Sequence, residues 1–396
     1  MVEGGIYTIL QNALEELSKY SEKVPLEIIA FVHKKDGLDF PSIQLIEIPK
    51  SKKSWWFRLY YEYIYFYKIS KKIQPDIWLS LHDTTPRVIA KKRFVYCHHP
   101  TTFYKPTWKD WQFDIKIGIF HLLYDYLFQY NIKKNHCVFV QQHWIKAVFT
   151  KRFGISNVVV AQPQFSALSS TKNTVFETGK IHFLYPSFPR SFKNFEVIFE
   201  AIQLLDSKTK EQCQFHFTLE RNKSKYGNYL LNKYGAIEAC VFHSYMKHSD
   251  LQSLYYSMDC LLFPSKIETW GLPISEARHY DKPLILANEP YAKETCGTYE
   301  KVSFFNVDDA EKLAQLITDF TNKNLIFEGN SAPNITKKSL KNWKELLELG
   351  SDTSNQDVVE DRKKQCDHSR FGYHHLYFWN YWKTKRCNAF ASKYCF

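Results

Sequence analysis

The feature that most restricts how this chain can fold is an alternation. Short runs rich in β-branched and aromatic residues, "LEIIAFVH", "IQLIEIP", "DIWLSL", "RFVYCHH", "CVFVQQ" and "NVVVAQP", are separated by stretches of helical period at Thr8–Tyr20, Trp56–Ile73 and His143–Phe153. Strands interleaved with helices favour parallel sheets, because each parallel neighbour needs a crossover and the crossover helices cover both faces. A polar stretch from Gln164 to Lys180, "QFSALSSTKNTVFETGK", interrupts the pattern and reads as a linker. The alternation then resumes with "IHFLYPS", a helix at Phe195–Leu205, "CQFHFTLE", "ACVFHS", a helix at Asp250–Ser257, "CLLFPS", a helix at Pro273–Tyr280, "PLILAN", "VSFFNV" and a helix at Ala310–Phe320. At 396 residues the chain has room for two cores. The expected organisation is two Rossmann-like, doubly wound α/β domains, 1–165 and 166–335, facing across a cleft. A helix at 336–350 is expected to pack back across the hinge, followed by an irregular or disordered tail at 351–396. Gly4 and Gly5 stand where the first glycine turn of a doubly wound domain belongs, so the chain reads as starting just after its own first strand.

Composition narrows the class. The nine cysteines, an odd number without close pairs, fit isolated thiols in a reducing compartment better than a disulfide framework. No run approaches the roughly 18 apolar residues of a membrane-spanning helix, and "MVEGGIYTIL" lacks the layout of a signal peptide. The expected location is therefore the cytoplasm. A net charge of +12 fits either nucleic acid or an anionic membrane. A nucleic-acid reading needs a recognisable motif or a clustered basic stripe, and nothing beyond residues 50–72 supplies one, so no nucleic-acid partner is expected. That stretch, "KSKKSWWFRLYYEYIYFYKISKKI", mixes lysines with Trp55, Trp56 and tyrosines; it reads either as a peripheral docking face for the inner membrane surface or as an ordinary core helix. In the tail, Cys366, His368, His374, His375, Cys387 and Cys395 match no metal-ligand spacing, and no metal site is expected.

The chemistry concentrates at "FPSKIETWGLPISEA", Phe263 to Ala277. An apolar strand ends at Pro264 and a helix begins near Pro273, with Glu268 and Glu276 flanking the junction. Gly271 permits close backbone approach, and Pro273 suits the first turn of a helix. The N–H groups at Gly271 and Leu272 would then point from a helix N-terminus, a ready anion site, while the two carboxylates suit sugar hydroxyls. Solvated acids near a helix start are the competing reading. A second junction, "YPSFPRSFKNFEVIFEAIQLL", places Arg190 and Lys193 in a basic loop between strand and helix, where they suit a diphosphate or simply face solvent.

Several motifs in order carry a family resemblance. "ETWGLPISE" resembles the E-x7-E signature of retaining GT-B glycosyltransferases, especially glycosyltransferase family 4. "FPRSFKNFEVIFEAI" resembles that family's phosphate-binding loop and helix, "FHSYMKHSDLQSLYYSMDCLLFPS" the block before the signature, and "GGIYTIL" the N-terminal glycine loop. The resemblance, running from about residue 4 to 349, implies a GT-B fold with an acceptor-side first domain and a nucleotide-sugar-binding second domain. It implies that Glu268 contacts donor sugar hydroxyls, Glu276 the ribose, and Gly271 and Leu272 offer backbone N–H groups. Arg190 and Lys193 would hold the diphosphate, with Gly5 near it from across the cleft. The family commonly carries an Arg five residues before the Lys; here that place is Phe188, and Arg190 stands nearby.

In the first half, "VYCHHPTTF" resembles the H-x-P segment of lipid-linked mannosyltransferases in the same family, which implies that His98 rather than His99 lies beside the transferred sugar. A histidine poised near neutrality can hydrogen-bond the sugar or position an acceptor, or be satisfied by backbone at a strand end. In "SLHDTTP", Asp83 could orient an acceptor hydroxyl or cap the following segment. The expected activity is a retaining hexosyltransferase that moves a hexose from a nucleotide-diphosphate sugar to a lipid-linked or polysaccharide acceptor in cell-surface glycan synthesis. No D-x-D motif occurs, so metal-independent transfer without a cofactor is expected. A nucleotide-sugar epimerase of the same fold and a catalytically inactive scaffold are the alternatives.

Overall fold

The computed structural model describes residues 5–35, 37–99, 103–163, 176, 179–244, 246–330 and 374–379. The chain separates into two compact units. The first comprises Met1–His99, Tyr124–Gln164 and the C-terminal stretch that holds the last strand; the second comprises Pro100–Leu123 and Phe165–Lys337.

The elements follow the alternation read from the sequence. They begin with α1 (Gly5–Ser21), β1 (Leu26–Val32), β2 (Ile43–Glu47) and α2 (Trp55–Tyr60). A π-helical turn at Tyr61–Tyr65 leads into α3 (Phe66–Ile73), β3 (Ile77–Ser80), β4 (Lys92–Cys97), α4 (Trp108–Phe113), α5 (Ile115–Ile132), β5 (Cys137–Val140), α6 (His143–Phe153) and β6 (Val158–Val160). Next come β7 (Ile181–Tyr185), α7 (Phe195–Leu204), α8 (Ser207–Gln212), β8 (Cys213–Phe217), α9 (Lys225–Tyr234), β9 (Cys240–Phe242) and α10 (His248–Ser257). The series closes with β10 (Cys260–Phe263), α11 (Leu272–His279), β11 (Leu284–Ala287), α12 (Pro290–Cys296), β12 (Val302–Phe305), α13 (Ala310–Thr321) and β13 (His374–Trp379).

The first unit is built on a parallel sheet of order β2-β1-β13-β3-β4-β5-β6. Leu10, Ala13, Leu14 and Leu17 recur at helical spacing on α1 and pack on one face of this sheet, against Ile28, Ala30, Leu79 and Phe139. Phe66 of α3 covers the other face with Phe31 and Trp78. The position between β1 and β3 is taken by β13. Leu26 aligns with His374 on one side and Phe378 with Leu79 on the other, both pairings parallel. The expectation of an irregular 351–396 tail is therefore corrected at 374–379. A central parallel strand need not alternate polar and apolar residues, so "HHLYFW" offered no period to read. The expected helix at 336–350, and Cys366, His368, Cys387 and Cys395, lie outside the described residues.

The second sheet, also parallel throughout, has the order β12-β11-β10-β7-β8-β9. Successive strands move outward from β7 to β9, and β10 then returns to the other side of β7. The direction of winding therefore reverses between β7 and β10, and such a switch point opens a crevice at the carboxyl ends of the two strands. The Pro100–Leu123 segment, expected in the first domain, belongs to this unit. Phe113 packs on Tyr229 with ring centroids 4.9 Å apart, Tyr104 lies 5.8 Å from Phe192, and Lys109 reaches Glu196 at 3.3 Å. A helical period says which face of α4 is apolar but not which core receives it.

Three imidazoles cross this sheet in a hydrogen-bonded row. His182 Nδ1 lies 3.0 Å from His216 Nε2, and His216 Nδ1 lies 3.0 Å from His243 Nε2. Burial, reinforced by the two neighbouring rings, lowers the His216 pKa to about 3. The folded state thus refuses a proton that the unfolded chain accepts below about pH 6.5, so His216 withdraws about 1.4 kcal/mol of stability per pH unit from there down to about pH 3. Chemical denaturation of wild type and His216→Asn across this range should show the variant with the shallower acid slope; parallel slopes would contradict the assignment.

Candidate donor-binding and catalytic site

Both predicted junctions sit at the switch point, one after β7 and one after β10. Tyr185, the last residue of β7, ties them together. Its hydroxyl donates to the Lys193 carbonyl at 2.6 Å and lies 3.1 Å from Ser265 Oγ. The Lys266 N–H donates to the Phe192 carbonyl at 2.9 Å, a direct backbone link between the two loops. After Arg190 the chain makes a single 3₁₀ turn, Ser191–Lys193, and Asn194 then adopts a left-handed conformation with φ 56°. Asn tolerates this region better than most residues, and its side-chain amide donates to the carbonyls of Pro264 (3.3 Å) and Val307 (2.5 Å). The turn is thereby fixed before α7 begins.

Within this frame the Lys193 ammonium pairs with the Glu268 carboxylate, both side chains largely buried. These residues are 75 apart in sequence, and only the adjacency of β7 and β10 brings them together. Gly271 has φ 83°, a conformation that side chains oppose, and a Cβ there would press on Ile274 Cδ1 at 3.2 Å. It sits immediately before α11, so the first N–H groups of the helix, including that of Leu272, have no carbonyl of their own helix to bond. Glu276 lies on the same short helix. It is 7% exposed, and burial raises its pKa to about 7. Arg190 precedes the turn with its guanidinium 5.9 Å from the Phe188 ring. Sequence reasoning did not single out Tyr185, Ser265, Asn194 or Asp110. Asp110 is fully buried, accepts from Tyr104 Oη at 2.9 Å and from Thr107 N at 2.6 Å, and receives the Ser191 hydroxyl. It anchors the basic turn from a segment that the sequence placed in the other domain.

In the first unit, Asp83 and His98 follow the neighbouring strands β3 and β4. Asp83, at φ 66°, accepts the backbone N–H groups of His98 (2.7 Å) and His99 (2.9 Å) through Oδ1, while Oδ2 lies 3.8 Å from His98 Nε2. It therefore caps the end of β4 across the sheet rather than the segment that follows it. Burial lowers the His98 pKa, with Asp83 opposing, and His99 is buried beside it. Beneath lies a buried polar network absent from the sequence reading. Glu62, in the π turn, accepts from Arg58 Nε at 2.5 Å and Thr84 Oγ1 at 2.9 Å, and lies 3.1 Å from His82 Nε2. Burial pushes the Glu62 carboxyl up and the His82 imidazole well down. A π turn inserts a residue into a helix and often marks a functional position, yet Glu62 and Arg58 at i, i+4 look from sequence like a surface pair. Gly5 is the first residue of α1.

The comparisons bear on the fold. Residues 168–342 match the family model of glycosyl transferases group 1. Among curated sequences no match was found. Sucrose-phosphate synthase of Thermosynechococcus elongatus superposes with a TM-score of 0.62 and 14% identity, covering 92% of this chain and 94% of that one. WaaG, a glycosyltransferase involved in lipopolysaccharide biosynthesis, superposes with a TM-score of 0.60 and 11% identity, over 81% and 90% of the two chains. Against two structures of TarM, at TM-scores of 0.46 and identities of 14% and 15%, 59% and 66% of this chain is covered, and it spans only 44% and 51% of their length. Among the described residues no helix is long and apolar enough to cross a membrane. The chain thus has the GT-B fold of glycosyltransferases, and the stretch that holds Lys193, Glu268 and Glu276 is the stretch that matches glycosyl transferases group 1.

Proposed function

We propose that this protein is a retaining hexosyltransferase of the glycosyltransferase family 4 type. It takes its sugar from a nucleoside-diphosphate donor and passes it to a lipid-linked or polysaccharide acceptor in cell-surface glycan synthesis. The observation that carries the reading is the Lys193–Glu268 pair at the switch point, beside the N-terminus of α11. An ammonium and free helix N–H groups suit a diphosphate, and a carboxylate next to them suits the hydroxyls of the attached sugar. Glu268 holds the sugar, Glu276 the ribose, and Lys193 with Arg190 stabilises the charge on the departing diphosphate. His98, neutral at pH 7, hydrogen-bonds the sugar or positions the acceptor, and Asp83 holds it there. Transfer proceeds on the front face through an oxocarbenium-like state: the acceptor oxygen bonds to the anomeric carbon, the carbon–phosphate oxygen bond breaks, and the acceptor proton passes to the leaving phosphate. No metal is required, since a lysine and helix termini supply the positive charge. The enzyme works in the cytoplasm at the inner membrane surface.

Incubation with UDP-, GDP- and CMP-sugars tests the reading. One donor should be consumed, with product unchanged in excess EDTA. Isomerised donor would indicate an epimerase, no consumption an inactive scaffold, and loss restored by Mn²⁺ a metal-dependent transferase. Glu276→Gln should separate binding from stability. A carboxyl whose folded pKa is raised contributes stability below its unfolded pKa near 4.5 and loses it as pH rises through about 7. The amide escapes that loss, so at pH 8 the variant is expected to be more stable by about 3 kcal/mol. Its donor KM should rise about tenfold or more, because one acceptor oxygen is lost. A variant less stable than wild type at pH 8 would refute the burial assignment.

A further inference from the structure

The 3₁₀ turn Ser191–Lys193 is gripped by a segment that follows His99 in the chain and belongs, like the turn, to the second unit. Asp110, in the first turn of α4, divides its two oxygens between two tasks. Oδ2 accepts from Tyr104 Oη (2.9 Å), Thr107 N (2.6 Å) and Thr107 Oγ1 (2.7 Å), all local to the start of the helix. Oδ1 receives the Ser191 hydroxyl, from 81 residues away in sequence. The Tyr104 ring meets the Phe192 ring at 5.8 Å, and the Tyr185 hydroxyl donates to the Lys193 carbonyl at 2.6 Å. Each of the three turn residues is thus held, and the Lys193 ammonium reaches Glu268 from a fixed base.

Capping α4 needs one carboxylate oxygen, and Oδ2 supplies it. A carboxylate at 0% exposure needs bonds on both oxygens, so Ser191 stabilises Asp110 as much as Asp110 fixes Ser191. Lys109 on the same helix pairs with Glu196 at 3.3 Å, but its side chain is 55% exposed and that contact contributes little. Asp110 also lies outside residues 168–342, the stretch that matches the family model. We propose that Asp110 is a positioning residue for the transfer step: through Ser191 it fixes the turn from which Lys193 meets the departing diphosphate. The inference rests on the proposed function's assignment of Lys193 and adds to it a residue from outside both junctions. Misplacing a reacting group by about 1 Å costs on the order of 10²-fold in rate, and loosening one anchor among several costs less, about tenfold.

The test is steady-state kinetics with the donor found by the screen, beside calorimetric titration with inorganic pyrophosphate, UDP and GDP. Both use the full chain at a temperature where every variant is folded. Ser191→Ala leaves the α4 cap intact. It should lower kcat about tenfold and weaken diphosphate binding by a similar factor, with donor KM changed less than about threefold, because the extra charge develops only on the leaving group. Asp110→Asn keeps an oxygen for the Thr107 and Tyr104 donors and an amide facing the Ser191 hydroxyl, so it should retain most of kcat. Lys109→Ala should match wild type. A Ser191→Ala variant that melts lower yet keeps wild-type kcat and diphosphate affinity would reduce Asp110 to a helix cap; that overturns the inference and leaves the transferase reading standing. An equal loss in Lys109→Ala would assign the effect to docking of the whole segment and overturn it as well. Wild type that neither consumes a donor nor binds a diphosphate overturns the transferase reading and the inference with it.

Discussion

Replacing Lys193 with alanine is expected to lower kcat/KM for donor consumption by about 10²–10³-fold. The reason is positional. Lys193 closes a turn held at both ends, by Tyr185 from β7 and by Asn194 from the loops after β10 and β12, so its ammonium is pre-organised against Glu268 and no rearrangement is needed when negative charge develops. Glu268→Gln should also lose most activity. The double variant should lose much less than the product of the two single losses, because residues in direct contact act as a unit. Steady-state kinetics with the donor identified by the screen, together with melting temperatures of all three variants, would measure this. Folded single variants with wild-type kcat/KM would remove the site from the β7–β10 switch point.

Glu62→Ala is expected to destabilise the first unit by about 3–5 kcal/mol, since it leaves the Arg58 guanidinium buried without its carboxylate. Arg58 and Glu62 are 3% and 1% exposed, and the same carboxylate holds Thr84 and faces His82, immediately before and after Asp83. Replacing both partners with apolar residues, Arg58→Met/Glu62→Leu, should restore most of the stability, because desolvation of two charges offsets much of what the pair contributes. Activity should not return in parallel if the network positions Asp83 and His98. Calorimetric melting, with donor consumption measured at a temperature where all variants are folded, distinguishes the outcomes. A loss below about 1 kcal/mol in Glu62→Ala would show that the pair is solvated.

Much of the second unit was legible because its signals are local. "CLLFPS" followed by Gly271 and Pro273 encodes a strand, a turn with positive φ and a helix start within a few residues. "YPSFPRSFKNFEVIFEAIQLL" reads as strand, basic loop and helix, but the left-handed turn at Asn194, φ 56°, was not read from it. Arg190 and Lys193, Glu268 and Glu276 were identifiable as side chains at such junctions. The Asp110–Ser191 anchor was not, because its partners are 81 residues apart and "TWKD" by itself signals only a helix cap. Arg58 and Glu62 were hidden for a related reason: the same spacing occurs on any exposed helix, and the π turn that buries Glu62 has no composition of its own.

The order of amino acids by itself determined the period of each segment, the turns that end them and the chemical types at strand ends, since these depend on neighbours within a few residues. Tertiary structure alone decided that β13 lies between β1 and β3, that Pro100–Leu123 joins the second unit, and that Lys193 meets Glu268. Those choices depend on which apolar faces bury one another and on the direction in which each sheet winds. Competing arrangements of the same elements satisfy the local rules equally well, and only the packing of the whole core separates them.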